Sequence, residues 1–198
     1  MSTAPNSRLT PAEYLAIERA AETRSEYFDG EMFAMSGASR AHNRISGNLL
    51  RRIDEQFDER PCEVFMSDMR VKVDSVGLYT YPDIVATCEK PTFEDEVVDT
   101  LLNPQVIVEV LFKSTEGYDR GKKFEYYQGL ESLKEFLLVS QTSPRVERYT
   151  RQPDNQWLLW TTGDVSGDVS GTVEINSIGC QLKMADIFAK VEFLPSEA

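Results

Sequence analysis

The chain has 198 residues, with 21 Lys and Arg against 33 Asp and Glu, giving a formal net charge of −12 at pH 7. Its 41% hydrophobic and 27% charged residues are ordinary for one folded domain with a real core, while the acidic excess disfavours a protein that coats nucleic acid through its phosphates. A single histidine, His42, excludes a multi-histidine zinc site and leaves carboxylates to carry any chemistry.

One domain is expected over 1–198, with 1–9 disordered and the core spanning about 10–190. Thr10-Pro11-Ala12-Glu13 reads as a capped helix start, and that helix runs to about Thr23 with Tyr14, Leu15 and Ile17 facing inward. Two short apolar stretches around Asp29-Gly30 predict a hairpin. A second helix is expected over about 40–58, because Ile45, Leu49, Ile53 and Phe57 recur every four residues. Arg40, Arg44, Arg51 and Arg52 on it form a candidate basic patch. Residues 63–73, 82–88 and 105–112 read as strands, the last almost continuously apolar. The segment from Glu94 to Asp99 reads as a solvated acidic loop.

Asp119 is the expected cap of a third helix over about 120–131. Three strands of a meander follow at Glu135–Gln141, Arg145–Arg151 and Gln156–Thr162, then a loop with a local Gly-Asp-Val-Ser duplication at 163–171 and a short helix within 182–189. The whole is an α/β fold on a mixed β-sheet flanked by helices. Cys62, Cys88 and Cys180 are odd in number and lack a Cys-x-x-Cys spacing. Each therefore reads as a small buried hydrophobe in a reducing, cytoplasmic setting, with no disulfide framework. Apolar runs such as 106–108 and 136–139 are too short to cross a bilayer, and the first residues hold no apolar signal-peptide core. No membrane association is expected.

Glu109 stands inside Val106-Ile107-Val108-Glu109-Val110-Leu111-Phe112, a strand that otherwise reads as buried. A carboxylate there must be paired, protonated or bound to a metal, since burying an unpaired charge is very costly. Pro82-Asp83 opens the preceding strand. If the two strands pair, Asp83 and Glu109 converge on one cation, and oxygen donors suit Mg²⁺ or Mn²⁺.

Tyr81-Pro82-Asp83 with Val106 to Leu111 resembles the Uma2 (DUF820) family, nucleases of the PD-(D/E)XK restriction-endonuclease-like superfamily. Three further segments support the resemblance: Glu26-Tyr27-Phe28-Asp29-Gly30-Glu31 with His42 downstream, Ser114 through Lys123, and Glu135-Phe136-Leu137-Leu138-Val139. The resemblance implies a restriction-endonuclease-like core in which Asp83, Glu109 and the Val110 carbonyl hold a divalent cation, Mg or Mn. It implies that Glu31 completes or orients the site and that His42 contacts phosphate or assists proton transfer. The superfamily's lysine normally lies two residues after the acidic ligand, where this chain has Leu111. Lys123 on the following helix matches the family's substitute, and Asp119, Lys123 and Tyr127 share a helix face. A second departure is Phe112-Lys113-Ser114, where the family usually has Ser-Pro-Ser.

The implied activity is metal-dependent endonucleolytic hydrolysis of phosphodiester bonds in nucleic acid, DNA before RNA, with weak, metal-dependent and salt-sensitive binding. The alternatives are a nuclease-like binding protein impaired in catalysis, or an oligomeric scaffold using Phe124, Tyr126, Tyr127, Trp157 and Trp160. A homodimer is expected by analogy with restriction enzymes.

Overall fold

Thr10 closes the expected capping box: its hydroxyl accepts the main-chain N–H of Glu13, and the Glu13 carboxylate accepts the Thr10 N–H at 2.8 Å. The computed structural model describes residues 8–35, 37–112, 114–163 and 167–193. Most of the expected disordered lead-in, Lys113 with its departure from the family pattern, and 164–166 of the duplicated loop lie outside these residues. Arg8 and Leu9 are ordered, contrary to expectation. Leu9 N–H donates to the Gly30 carbonyl at 3.0 Å and Arg8 pairs with Asp29 at 2.6 Å.

Helix α1 (Pro11–Ala20) buries Tyr14 and Leu15 but leaves Ile17 46% exposed. At about 100° per residue the Tyr14–Leu15 arc includes Glu18 and excludes Ile17. Glu18 is accordingly buried, accepting from Ser25 N–H and Tyr81 hydroxyl. Strands β1 (Ser25–Phe28) and β2 (Glu31–Ala34) form the predicted hairpin, with Asp29 and Gly30 both at positive φ, 49° and 85°. Helix α2 (Arg40–Asp54) buries Ile45, Leu49 and Ile53, and Phe57 continues the same stripe.

The expected strand over 63–73 is two strands in different sheets. The chain turns at Ser67-Asp68, with Met69 N–H donating to Met66 carbonyl at 2.9 Å, which separates β3 (Glu63–Met66) from β4 (Arg70–Val73). A three-residue strand that the sequence pattern does not disclose, β5 (Leu78–Thr80), follows, then β6 (Ile84–Thr87), β7 (Thr100–Leu101) and β8 (Val106–Leu111). Strand β8 connects to β9 (Glu135–Ser140) through α3 (Glu116–Tyr118), a π-helical turn (Asp119–Lys123) and α4 (Phe124–Tyr127). The third helix therefore starts earlier than 120, and Asp119 is not its cap. Phe112 carbonyl accepts the N–H groups of both Thr115 and Glu116, which starts the helix directly after β8.

The meander is present as β9, β10 (Val146–Arg151) and β11 (Trp157–Thr162). Beyond it lie an unforeseen hairpin, β12 (Thr172–Ile175) and β13 (Cys180–Lys183), and the expected short helix α5 (Met184–Ile187). One sheet runs β2-β1-β5-β4-β7 and the other β11-β10-β9-β8-β6-β3, with β8 and β9 parallel across the helical crossover. On β8, Val106, Val108 and Val110 face a core with α2, β12, β13 and α5, while Ile107 and Leu111 face a second core with α4 and the other sheet. Both faces being covered explains why the strand reads as an unbroken apolar run.

Two expectations from composition fail. Cys62 and Cys88 form a disulfide, one step beyond the cross-strand pair Glu63 and Thr87. Only Cys180 is the buried free thiol expected, and the cysteine argument for a reducing compartment falls with that pairing. The acidic segment is also more than a solvated loop. Asp99 pairs with Arg19 and with the buried Arg70, each at 2.8 Å, and Glu94 pairs with Lys72 at 2.9 Å. No helix among the described residues is long and apolar enough to cross a membrane.

Candidate active site

Strand pairing brings the two carboxylates together. Strands β6 and β8 are antiparallel with Ile84 opposite Val108, so Asp83 and Glu109 are the next facing pair, on the side shared by Val85 and Ile107. Strand β6 ends at Ile84, and the Asp83 carboxylate takes over the next ladder contact, its Oδ2 accepting the Val110 N–H at 2.7 Å.

Glu109 meets the crossover helix. Its Oε1 lies 2.9 Å from Lys123 Nζ and accepts the Tyr127 hydroxyl at 2.8 Å. Asp119, Lys123 and Tyr127 are all buried, so the four-residue spacing does place one face against the sheet. Burial pushes Glu109 up to about 8, with Lys123 pulling it down and Asp83 and Asp119 pushing the same way as burial. For Lys123 burial alone would favour the neutral amine, but Glu109, Tyr127 and Glu26 reverse this and hold the ammonium well above its ordinary range. Burial likewise raises Asp119, against the pull of Lys123.

The early acidic residue that reaches this group is Glu26, not Glu31. Glu26 Oε1 lies 3.2 Å from Lys123 Nζ and accepts the hydroxyl of Thr80. Glu31 sits at the far end of the hairpin with its side chain exposed. Facing residues share a face, so Glu26, Phe28, Glu31 and Phe33 all leave one side of the ribbon, and position separates the two acids: Glu26 stands on β1, which pairs with β5, while Glu31 lies beside the turn on the edge strand β2.

His42 joins from α2. Ser39 caps that helix by accepting the His42 N–H at 3.0 Å, and His42 Nε2 stands 3.1 Å from Asp83 Oδ2. Gln141, unmarked by any sequence signal, fixes this approach: Ser39 hydroxyl donates to its Oε1 at 2.5 Å and its amide donates to Leu111 carbonyl at 2.8 Å. The candidate basic patch on α2 is largely neutralised. Arg51 pairs with Glu55, Arg52 with Glu55 and Asp186, and Arg40 with Glu192. Arg44 alone of the four makes no ion pair among the described residues.

Asp83, Glu109, Val110, Lys123, His42 and Glu26 all line one cavity of about 320 Å³. Among the described residues no group of three or more His, Cys, Asp or Glu side chains is placed to hold a metal ion. Two carboxylates are available, however, and each keeps an oxygen without a hydrogen bond among the described residues, Oδ1 of Asp83 and Oε2 of Glu109. Oxygen donors few in number fit a hard divalent ion that retains waters.

A protein-family model described as "Uma2: Putative restriction endonuclease" matches residues 11–178. The chain belongs to the Uma2 family. Two uncharacterized proteins of Synechocystis sp. (strain ATCC 27184 / PCC 6803 / Kazusa) are similar to it. One, sll1609, is 40% identical over 159 residues, 80% of this chain and 90% of that protein. The other, slr1290, is 34% identical over 190 residues, 96% of each. Among solved structures, "a putative nuclease belonging to DUF820" from Anabaena variabilis ATCC 29413 superposes with a TM-score of 0.73 at 18% identity, covering 93% of this chain and 99% of that one. The Uma2 chain thus has the restriction-endonuclease-like α/β fold, a mixed sheet flanked by helices.

Proposed function

We propose that this Uma2 protein is a metal-dependent endonuclease that hydrolyses phosphodiester bonds, with DNA as its substrate. The observation that supports the reading is the pairing of Asp83 and Glu109 on adjacent strands, each with an oxygen free, beside a buried lysine. Asp83 and Glu109 would hold Mg²⁺ or Mn²⁺, with the Val110 carbonyl as a third donor. Such an ion acidifies a water and offsets charge developing on phosphate.

The protein's own groups have separate tasks in this reading. Lys123 places its ammonium next to Glu109, where it orients an attacking water or stabilises the negative transition state. Glu26, in the role expected of Glu31, holds that ammonium from its other side. His42 keeps Asp83 oriented and is within reach to shuttle a proton to or from a phosphate oxygen. DNA binding is weak and salt-sensitive, because the net charge is −12 and most arginines of α2 are internally paired.

A homodimer belongs to the same proposal. The outer edge of the six-stranded sheet, β11, leaves Leu158, Leu159 and Trp160 about half exposed, which supports an interface between copies there. Sedimentation showing only monomer at micromolar concentration removes it. Of the aromatics named from sequence for such an interface, most of them read as core, Phe124 and Tyr127 are indeed buried.

The test is cleavage of DNA by wild type and Asp83→Ala with Mg²⁺, Mn²⁺ or a chelator. Cutting by wild type alone, and only with metal, supports the reading. Equal activity in the two proteins, or cleavage in the chelator, sinks it. A protein that binds DNA and Mn²⁺ yet never cuts is the impaired binding protein instead.

A further inference from the structure

Glu26 and Phe33 are facing residues in the β1–β2 hairpin, so the acid that reaches Lys123 and the Phe33 ring leave the same face side by side. Phe33 is not alone at that margin. Phe33 at 49% exposure, Met35 at 39%, Met66 at 45% and Tyr118 at 41% all line the cavity that holds the acids and the lysine. Three separate segments therefore contribute large apolar side chains to the mouth of an ionic cavity. Four such groups left in water around one opening mark a surface that meets something.

Charge decides what that something is. Duplex DNA is gripped through its phosphates, and each contact needs a free cation. Among the described residues the cavity lining holds Lys123 and His42 but no arginine, and Lys123 is already held between Glu109 and Glu26. With the described lining so poor in free cations, apolar contact is the rim's main source of affinity. The faces of unpaired bases stack on aromatic rings and thioethers with little regard for sequence. A duplex hides those faces. A cavity of about 320 Å³ also accommodates one nucleotide drawn into it, at the small end of the range for ligand sites.

We propose that the Phe33–Met35–Met66–Tyr118 rim stacks unpaired nucleobases, so that the enzyme acts on single-stranded nucleic acid, ends or loops in preference to continuous duplex. The inference rests on the hydrolase reading, and it names the substrate form of that same site.

Binding in Ca²⁺ separates the two. A 12-nucleotide single strand carrying 2-aminopurine is titrated with wild type, Phe33→Ala/Met66→Ala and Phe33→Trp, against the same sequence as duplex, in deoxy and ribo forms. The expected result is at least tenfold tighter binding of single strand than duplex, with quenching of the 2-aminopurine. The double variant loses the quenching and at least tenfold in affinity, and Phe33→Trp retains both. The ratio of deoxy to ribo affinity identifies which single strand is the source. Equal or tighter duplex binding, or quenching that survives the double substitution, overturns the rim. Quenched binding by a wild type that cleaves no diester in Mn²⁺ defeats the hydrolase reading while leaving the rim's ligand identified.

Discussion

Asp83 Oδ2 lies 2.7 Å from the main-chain nitrogen of Val110, so a residue proposed to hold a cation also plugs the end of the β6–β8 ladder. The two roles separate by substitution. Asn keeps an oxygen that can accept the Val110 N–H, while Ala leaves that partly buried donor unmet, at a cost of about 1–3 kcal/mol. Both should abolish metal-dependent cleavage, because both remove the charge. Urea melts beside the nuclease assay check this: Asp83→Asn should unfold near wild type and Asp83→Ala earlier. Cleavage retained by Asp83→Asn would show that only the hydrogen bond matters.

Lys123 is buried between Glu109 and Glu26. In Lys123→Met the ammonium is gone, and burial, Asp83 and Asp119 favour the neutral acid at Glu109 against the one hydroxyl donated by Tyr127. Its folded pKa, above the unfolded one even in the wild type, rises further, so stability is fully present below the ordinary carboxylate value and lost as pH rises toward the folded value. Wild-type Glu109, already up at about 8, loses the same stability below that pH, so the deficit should stay nearly level from pH 5 to pH 7 and grow as pH rises past about 8, toward the roughly 3 kcal/mol of a broken buried pair. Chemical denaturation across that range reads the trend. A deficit that is constant with pH would mean the lysine contributes packing alone.

The strongest patterns in the chain were legible because one force dominates each. Thr10 and Glu13 cap α1 as a local matter, the Ile45–Phe57 stripe follows helix periodicity, and β8 needs only burial on both faces. The site was legible where it lies on adjacent strands, at Asp83 and Glu109. What escaped depends on partners remote in sequence. Whether Glu26 or Glu31 reaches the lysine is set by which strand pairs with β5: β1 does, and there Thr80 meets Glu26. The split of 63–73 follows from two sheets competing for one segment. Gln141 matters only because Ser39 and Leu111 converge on it from either side.

Asp99 shows the opposite linkage. Hydrogen bonds from Arg19, with Arg70 and Thr100 beside them, hold its carboxyl well below the usual carboxylate range. A depressed folded pKa gives stability that is present above about pH 4, the unfolded value, and is lost as pH falls below it. Asp99→Asn strands the buried Arg70 and should cost on the order of 2 kcal/mol at pH 7. It should also flatten the acid limb of the stability curve between pH 4 and pH 2. Parallel acid limbs in the two proteins would place the acid sensitivity elsewhere.

The Cys62–Cys88 bridge joins β3 to the far end of β6 from Asp83. Closing the chain between positions 62 and 88 restricts the unfolded state, worth up to about 3.5 kcal/mol in the loop-entropy account. Under denaturing, non-reducing conditions the protein should therefore show one free thiol, that of Cys180. Reduction should lower the urea midpoint without changing cleavage, since neither cysteine lines the cavity. The Cys62→Ser/Cys88→Ser variant should match the reduced protein in both respects. Three titratable thiols in the untreated protein would show that these neighbours remain reduced, and the stability difference on adding reductant would then vanish.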